Sequence, residues 1–478
     1  MAEARADLLY VAAMSAPVDR AITHLETHWD AYLAQLMDLV RVPGVSAVPP
    51  PSEPLVRSAE ALLAVMEAAG LEHCEIIDFP GGHPYVYGDW LHAEGAPTLL
   101  LYGHHDVMPP GRAEKWITPA FEPSVRDGRL YGRGAVDDKA GVMVHVAAVA
   151  SYLKSAGSLP VNVKFIVEGE EEVGSQSLDA FLTKYAEKLQ GDVIVLTDTA
   201  NHEAGLPSLT VSLRGLVGVQ VEVRGLDHPI HSGMFGGPVP DPVMALCRAI
   251  AELTDERGRP SALLQQGVRA LSATERAALE KLPYDDQTFR AEVGIVPGAQ
   301  LTGDPDMPVF GRIWHQPAVT VIALEGRPIA GSSNQLIESA RCRISLRIVA
   351  DQDPEQLQDA LVAHFESRVP WGLEVTVTRE SAAKWWVTEP AHEAFALAER
   401  ALEKGYGRGA VHIGCGGSIP FVEPFATHLG GAPALLMGVE DPICNAHGEN
   451  ESLNLDDWRK GTRAAVYLYD ELSRMKKR

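Results

Sequence analysis

The sequence predicts an α/β layered fold with a separate α+β unit inserted into it. Strand-like apolar runs alternate with helical periods over residues 17–208 and again from Lys384, whereas the intervening chain shifts to the period-two alternation of half-buried strands. Length agrees, because 478 residues exceed the size at which one hydrophobic core usually stops growing. The expected boundaries are 1–208 and 384–478 for a discontinuous first domain, and 209–383 for the inserted one.

Taken in order, Ile22, Leu25, Trp29, Leu33, Leu36 and Leu39 recur at helical spacing and predict a helix over 17–42, ended by the Pro- and Ser-rich run from Val45. Residues 1–13 add no periodic pattern, so Met14 is an alternative start. A second helix is expected from Leu55 to Ala69, then strands at Glu75 to Phe79 and Tyr85 to Leu91. The continuous apolar run from Pro97 to His104 suits a strand buried on both faces. The pattern repeats with strand Val161 to Val167, helix Ser177 to Leu189 and strand Asp192 to Leu196. In the inserted unit, strands are expected at Leu209 to Arg214, Val217 to Arg224 and Cys342 to Val349, with helices at Pro242 to Arg257 and Pro354 to Ser367. A Pro- and Gly-punctuated stretch lies at 282–318. The α/β texture resumes with helix His392 to Lys404, Gly-rich residues 414–417, strand Ala434 to Met437 and a terminal helix Leu455 to Met475.

Composition excludes several classes. A net charge of −23 argues against nucleic acid or an anionic membrane as partner, since both need clustered positive charge. The longest apolar stretch, Ala140 to Leu153, is shorter than the ~20 residues a bilayer span requires. Five cysteines without a CxxC pair indicate neither a disulfide framework nor a thiolate zinc site, and a reducing cytoplasm is the expected location.

Five stretches carry histidines and carboxylates, nearly all just after a strand-like run, where an α/β fold exposes side chains at the carboxyl edge of its sheet. They are Tyr102-Gly-His104-His105-Asp106, Gly132-Arg-Gly-Ala-Val-Asp137-Asp138-Lys139, Glu168-Gly-Glu170-Glu171-Glu172, Leu196-Thr-Asp198 and Asn445-Ala-His447-Gly-Glu-Asn-Glu451. In extended geometry His104 and Asp106 point to one side, so the Asp106 carboxylate can fix the tautomer of His104, while His105 faces away. Taken alone, any one of these histidines reads as a satisfied structural residue rather than a ligand. Adjacent Asp137 and Asp138 repel each other unless a cation neutralises them, and Asp137 is placed to bridge two metals; Asp138 by itself reads equally well as a helix N-cap. Glu170, Glu171 and Glu172 imply a cation partner, with an exposed acidic turn as the alternative. Imidazole and carboxylate without thiolate favour Zn²⁺, with Mn²⁺ or Co²⁺ as substitutes, over Mg²⁺ or Ca²⁺.

These motifs resemble those of the dinuclear zinc exopeptidase family that includes carnosine dipeptidase, carboxypeptidase G, aminoacylase and succinyl-diaminopimelate desuccinylase. The resemblance runs from about residue 20 to the end and is strongest to the dipeptidase branch, through Tyr-Gly-His104-x-Asp106-Val, His231-Ser-Gly-Met-Phe-Gly-Gly237 and Gly416-Gly417-Ser418-Ile-Pro420. It implies a mixed-sheet dinuclear-metal hydrolase domain with an inserted lid and dimerisation domain. His104 and Asp198 would hold one metal, Glu172 and His447 the other, and Asp137 would bridge them. Asp106 would orient His104, and Asp138 would shape the loop at a cis Asp-Asp bond. Glu171 would be the catalytic carboxylate, assisting attack by a metal-bridging hydroxide and passing a proton to the leaving amine.

By the same resemblance, His231 would donate to the scissile carbonyl oxygen across a homodimer. Arg347, Asn334, Gly417 and Ser418 would bind the substrate, although a lone arginine on a strand such as Arg347 also reads as a surface residue. His228 matches no motif position and reads as an ordinary loop histidine. Ile337 and Ala350 depart from family prolines, which bears on the lid rather than the metals. The implied activity is metal-dependent hydrolysis of an amide next to a free carboxylate, in a dipeptide. N-acyl or N-carbamoyl amino acids are the alternative substrates, and a catalytically silent binding relative is the non-enzyme alternative. A two-metal phosphoesterase is the weakest reading, because no arginine cluster or phosphate-cradling loop accompanies the motifs.

Overall fold

The computed structural model describes residues 16–476, apart from 51, 283–284, 389, 418–421 and 429. Met14 and Ser418 therefore lie outside the described residues. Contacts divide the chain into two compact units, one of residues 1–211, 389–413 and 420–478, the other of 212–388 and 414–419.

The first unit is built on a mixed sheet. Across it run Glu72–Ile77, Tyr85–Trp90, Asn162–Glu168, Thr98–His104, Val193–Leu196, Ala434–Leu436 and Ser208–Leu213. The strands at its centre are parallel, with Thr98–His104 between Asn162–Glu168 and Val193–Leu196, and Ala434–Leu436 beyond. Parallel strands must be covered on both faces, which explains why Thr98–His104 is almost continuously apolar and buried from Leu99 onward. One cover is the helix Lys139–Ala156, buried along most of its length and closed by Gly157 in a left-handed C-cap. The helix expected over 17–42 is two, Pro17–Thr27 and Trp29–Val40, parted where His28 leaves helical geometry at φ −109° and ψ 15°. The terminal helix Leu455–Leu472 starts from Asn454, whose side chain accepts from the Asp456 and Asp457 amides.

Two close approaches pack the helix Lys139–Ala156 and the strand Ala434–Leu436 against the loop that bears Asp198. A Cβ on Gly141 would stand 1.9 Å from the Thr197 carbonyl oxygen and 2.0 Å from Asp138 Oδ1, and one on Gly438 would stand 1.3 Å from the Thr199 carbonyl oxygen. Neither position tolerates a side chain. His145 completes the seam, its Nε2 2.8 Å from Thr197 Oγ1 and its Nδ1 3.1 Å from the Tyr469 hydroxyl.

The second unit is a four-stranded antiparallel sheet in the order Ala318–Glu325, Ser339–Ile348, Gly215–Arg224, Glu374–Ala383. Val217, Val219, Val221 and Val223 alternate inward, meeting Ile344, Leu346 and Ile348 and the helices Pro242–Ala251 and Pro354–Arg368. Both helices begin at an aspartate cap, Asp241 and Asp353. Periodicity did not mark the edge strand Ala318–Glu325 or the short helices Asp286–Glu292 and Val309–Trp314, which fall within or beside the Pro- and Gly-rich stretch. Among the described residues no helix is long and apolar enough to cross a membrane.

Burial pushes the His145 imidazole down to about 3. Its folded pKa lies below the unfolded value of about 6.5, so the unfolded chain takes the proton first and His145 destabilises the fold as pH falls below that value. His145→Gln lacks this penalty. The stability advantage of the wild type over the variant, from paired denaturation curves, should shrink by about 1.4 kcal/mol per pH unit between about 6.5 and 4.5. A constant difference would show that His145 is not buried in its neutral form.

Candidate metal centre

Each candidate ligand of the first unit stands where a strand or its following turn ends. His104 closes Thr98–His104, Glu171 and Glu172 sit in a short turn after Asn162–Glu168, Asp198 follows Val193–Leu196, and His447 lies in the loop after Ala434–Leu436. Asp137 precedes the helix Lys139–Ala156, and the Asp137–Asp138 peptide bond is cis.

Asp137 divides its carboxylate between the two histidines. Oδ1 is 3.0 Å from His104 Nε2, and Oδ2 is 3.0 Å from His447 Nε2. Asp198 Oδ2 lies 3.8 Å from His104 Nε2, and Glu172 Oε2 lies 2.9 Å from His447 Nε2. Two clusters result, His104 with Asp137 and Asp198, and Asp137 with Glu172 and His447, each offering ligand atoms within 4.8 Å of one another. Asp137 belongs to both. His104 is fully buried, whereas 55% of the His447 side chain is accessible, so the second cluster is the outward one.

The electrostatics call for cations. Burial pushes the Glu171 carboxyl up to about 8, with His104 opposing and Glu172, Asp137 and Asp106 adding to the rise. Burial likewise raises Asp198, helped by the neighbouring Asp138. Hydrogen bonds to Asp137 and Glu172 hold His447 up at about 11. Burial opposes protonation of His104, but hydrogen bonds to Asp106 and Asp137 outweigh it and raise its pKa. Protons thus gather on carboxyl oxygens as well as imidazole nitrogens where divalent ions would otherwise balance the charge, and the nitrogen and oxygen donor set without thiolate fits such ions.

Supporting residues fix these groups. His104 Nδ1 is 3.1 Å from the Asp106 carbonyl and 3.4 Å from its carboxylate, so the expected orienting contact is shared with the backbone. The Asp106 carboxylate also accepts from the Glu171 and Glu172 amides at 3.2 and 3.1 Å. Asp138 caps no helix amide; its Oδ2 accepts from the His104 amide at 3.2 Å. Glu170 turns away, accepting from the Ser177 amide at 2.8 Å and the Tyr85 hydroxyl at 3.3 Å, and of the three glutamates only Glu172 belongs to a cluster. His105 is buried between Ser58 Oγ and the Pro84 carbonyl, the structural role open to any lone histidine.

Reasoning from motifs passed over Arg133 and assigned no task to Glu451. Both are buried, and Arg133 Nη1 donates to Glu451 Oε2 at 2.6 Å. A buried arginine inside a Gly-Arg-Gly loop was the available signal, since such a charge requires a partner.

The second unit brings its expected residues together in two places. His231 pairs with Gln335 across a two-residue ladder, and the Ser232 amide donates to the Asn334 carbonyl at 3.0 Å. His231 is exposed, its Nδ1 accepting from the Gly233 amide at 3.1 Å. Elsewhere Arg214 donates from Nε to the Gly416 carbonyl at 2.8 Å and from its amide to the Gly417 carbonyl at 3.2 Å. Arg347 is half-buried, its guanidinium destabilised by burial, and it repels Arg214.

Residues 100–471 match the model of peptidase family M20/M25/M40. The cysteinylglycine-S-conjugate dipeptidase of Corynebacterium striatum is 34% identical over 75% of this chain and 77% of its own length. The Cys-Gly metallodipeptidase of Schizosaccharomyces pombe is 27% identical over 96% and 99%. The crystal structure of human carnosine dipeptidase 1 superposes with a TM-score of 0.84 at 23% identity, covering 96% of this chain and all of that one. An M20 metallo-carboxypeptidase from Sulfolobus solfataricus superposes at 0.80 with 25% identity, over 93% and 99%.

Removing divalent ions with a chelator should lower the melting temperature, and adding them back should restore it. A ligand at 100 times its Kd stabilises by about 2.7 kcal/mol. Identical thermal transitions with and without chelator would contradict a metal-holding centre.

Proposed function

The chain belongs to peptidase family M20/M25/M40 and is a metallopeptidase, and from that premise we propose that it cleaves the peptide bond of small dipeptides, Cys-Gly-like ones included, with two zinc ions. The carrying observation is Asp137, whose oxygens are divided between His104 and His447. In this reading His104 and Asp198 hold one ion, Glu172 and His447 the other, and Asp137 both. The histidine and carboxylate donors support Zn²⁺, with Mn²⁺ or Co²⁺ as substitutes. Bound there, such ions lower the pKa of water and polarise a carbonyl.

Glu171 does the proton work. Its turn is held by Asp106, whose carboxylate accepts from the Glu171 amide, and so held the Glu171 carboxylate takes a proton from the attacking water. The water oxygen bonds to the carbonyl carbon, the C–N bond breaks, and Glu171 returns the proton to the leaving amine nitrogen. Arg347, Asn334, Gly417 and Ser418 are proposed to bind the substrate, Arg347 through its carboxylate.

The second unit supports a homodimer in which His231 acts on the partner's substrate as an oxyanion donor. Its edge strand Ala318–Glu325 exposes Val321, Ile322 and Leu324, and Met234 and Phe235 are exposed beside His231. Unpaired, apolar strand edges of this kind invite pairing. None of the five cysteines is in a disulfide, which accords with a reducing, cytoplasmic setting.

A hydrolysis screen of dipeptides, β-alanyl dipeptides, tripeptides and N-acyl amino acids should show dipeptides cleaved fastest. Glu171→Gln should keep its metal and lose about 10²- to 10⁴-fold in turnover. Preference for N-acyl amino acids would transfer the site to the alternative substrate class, and full turnover in the variant would remove Glu171 from its role. Mixed His231→Ala and Glu171→Gln subunits should recover part of the activity through heterodimers. No recovery under demonstrated subunit exchange would confine the site to one chain.

A further inference from the structure

The outward ligand His447 occupies a backbone conformation that needs outside support. Its φ is +64°, and Asn445 and Asn450 on either side stand at +55° and +62°. Residues other than glycine hold the left-handed region at a cost and persist there when the surroundings over-determine them. The surroundings here are a short segment of the same unit. Arg133 Nη2 donates to the carbonyls of His447 at 2.9 Å, Gly448 at 3.1 Å and Pro109 at 3.2 Å. Its Nη1 bonds Glu451, whose carboxylate turns back onto the loop of the other ligand, accepting from the amides of Gly134 at 3.1 Å, Val136 at 3.0 Å and Asp137 at 3.3 Å.

We propose that Arg133 and Glu451 are positioning residues that lock the His447 loop to the Asp137 loop and so set the affinity of the outward metal position. Arg133 holds the loop carrying His447, Glu451 holds the loop carrying Asp137, and the ion pair between them fixes the separation of the two ligands. Around this pair the fold adds lateral ties. Arg129 grips Asp441 from Nη1 and Nη2 at 2.6 and 3.0 Å where the His447 loop begins. Arg112 donates from Nε to Glu449 at 2.8 Å, and Asn450 accepts from the Ile117 amide at 2.9 Å. The inner position shares only Asp137 with this pair, because its other two residues, His104 and Asp198, follow directly from central strands.

The proposal rests on the two-metal reading, and one titration separates the two. Zn²⁺ binding to the metal-free full-length enzyme is measured calorimetrically for the wild type, Glu451→Gln and Arg133→Lys, with thermal melts alongside. Glu451→Gln keeps an oxygen for the Val136 and Asp137 amides but loses the charge and sets an NH2 group against the Gly134 amide and Arg133, and Arg133→Lys keeps the charge but not the fork that spans the carbonyls. Both should weaken one of two equivalents by about 10- to 100-fold, the scale found when partners behind a metal ligand are removed, and the other, which shares only Asp137, by less. Turnover should fall with that equivalent and recover at high Zn²⁺, which a general loss of folding would not allow. Arg112→Ala, at an exposed site, should weaken the same equivalent by less and serves if the buried variants do not fold. Wild-type affinity at both equivalents in every variant, or equal weakening of both, overturns the lock. A wild type that saturates at one equivalent overturns the two-metal reading and the lock with it.

Discussion

Asp137 gives one carboxylate oxygen to His104 and the other to His447, each at 3.0 Å, and much of the first unit is arranged to make that division possible. Asp137, Asp198, Glu171 and Glu172 are crowded together with little access to water. Two like charges about 4 Å apart repel by roughly 4 kcal/mol even at an effective dielectric of about 20. Such a group is stable only if protons or cations enter among the oxygens. The upward shift of Glu171 and Asp198 and the retained protons on His447 and His104 are the protonic answer, and the divalent ions proposed to be shared through Asp137 would be the functional one.

Holding acidic groups together against repulsion requires stiff surroundings, and the parallel sheet supplies them. Its strands deliver His104 and the Asp198 loop to one edge, and the tight seats of Gly141 and Gly438 leave that loop no room to drift. Where the ligands lie on loops instead, charge takes over from the sheet. Arg133 and Glu451 are both buried, and removing one member of such a pair typically costs about 3–5 kcal/mol because the other is left uncompensated. Through Arg133 the pair also holds the carbonyl of His447, which stands in a left-handed conformation. Rigidity at the inner histidine and an electrostatic tie at the outer one are two solutions to one problem.

Much of this was legible in the sequence because the signals were local. A continuous apolar run ending in His104 announces a buried parallel strand and a side chain at its edge, and the neighbouring acids stand out by their number. The expected contact of Asp106 with His104 was half right: the carbonyl is the nearer group, and the carboxylate chiefly holds the amides of Glu171 and Glu172. Arg133 and Glu451 were harder to see, being 318 residues apart and joined only in the folded chain. Glu170 looked equivalent to its neighbours, yet the turn sends it toward Ser177 and Tyr85. The edge strand Ala318–Glu325 escaped notice because, exposed on both faces, it lacks the alternation that marks a half-buried strand.

The central claim is that one carboxylate, that of Asp137, serves two metal ions at once. Anomalous diffraction at the zinc edge from crystals of the zinc-loaded enzyme tests it most directly. The account predicts two peaks on opposite sides of Asp137, one against His104 and Asp198 and the other against Glu172 and His447. A single peak, or two peaks of which only one touches Asp137, would contradict it.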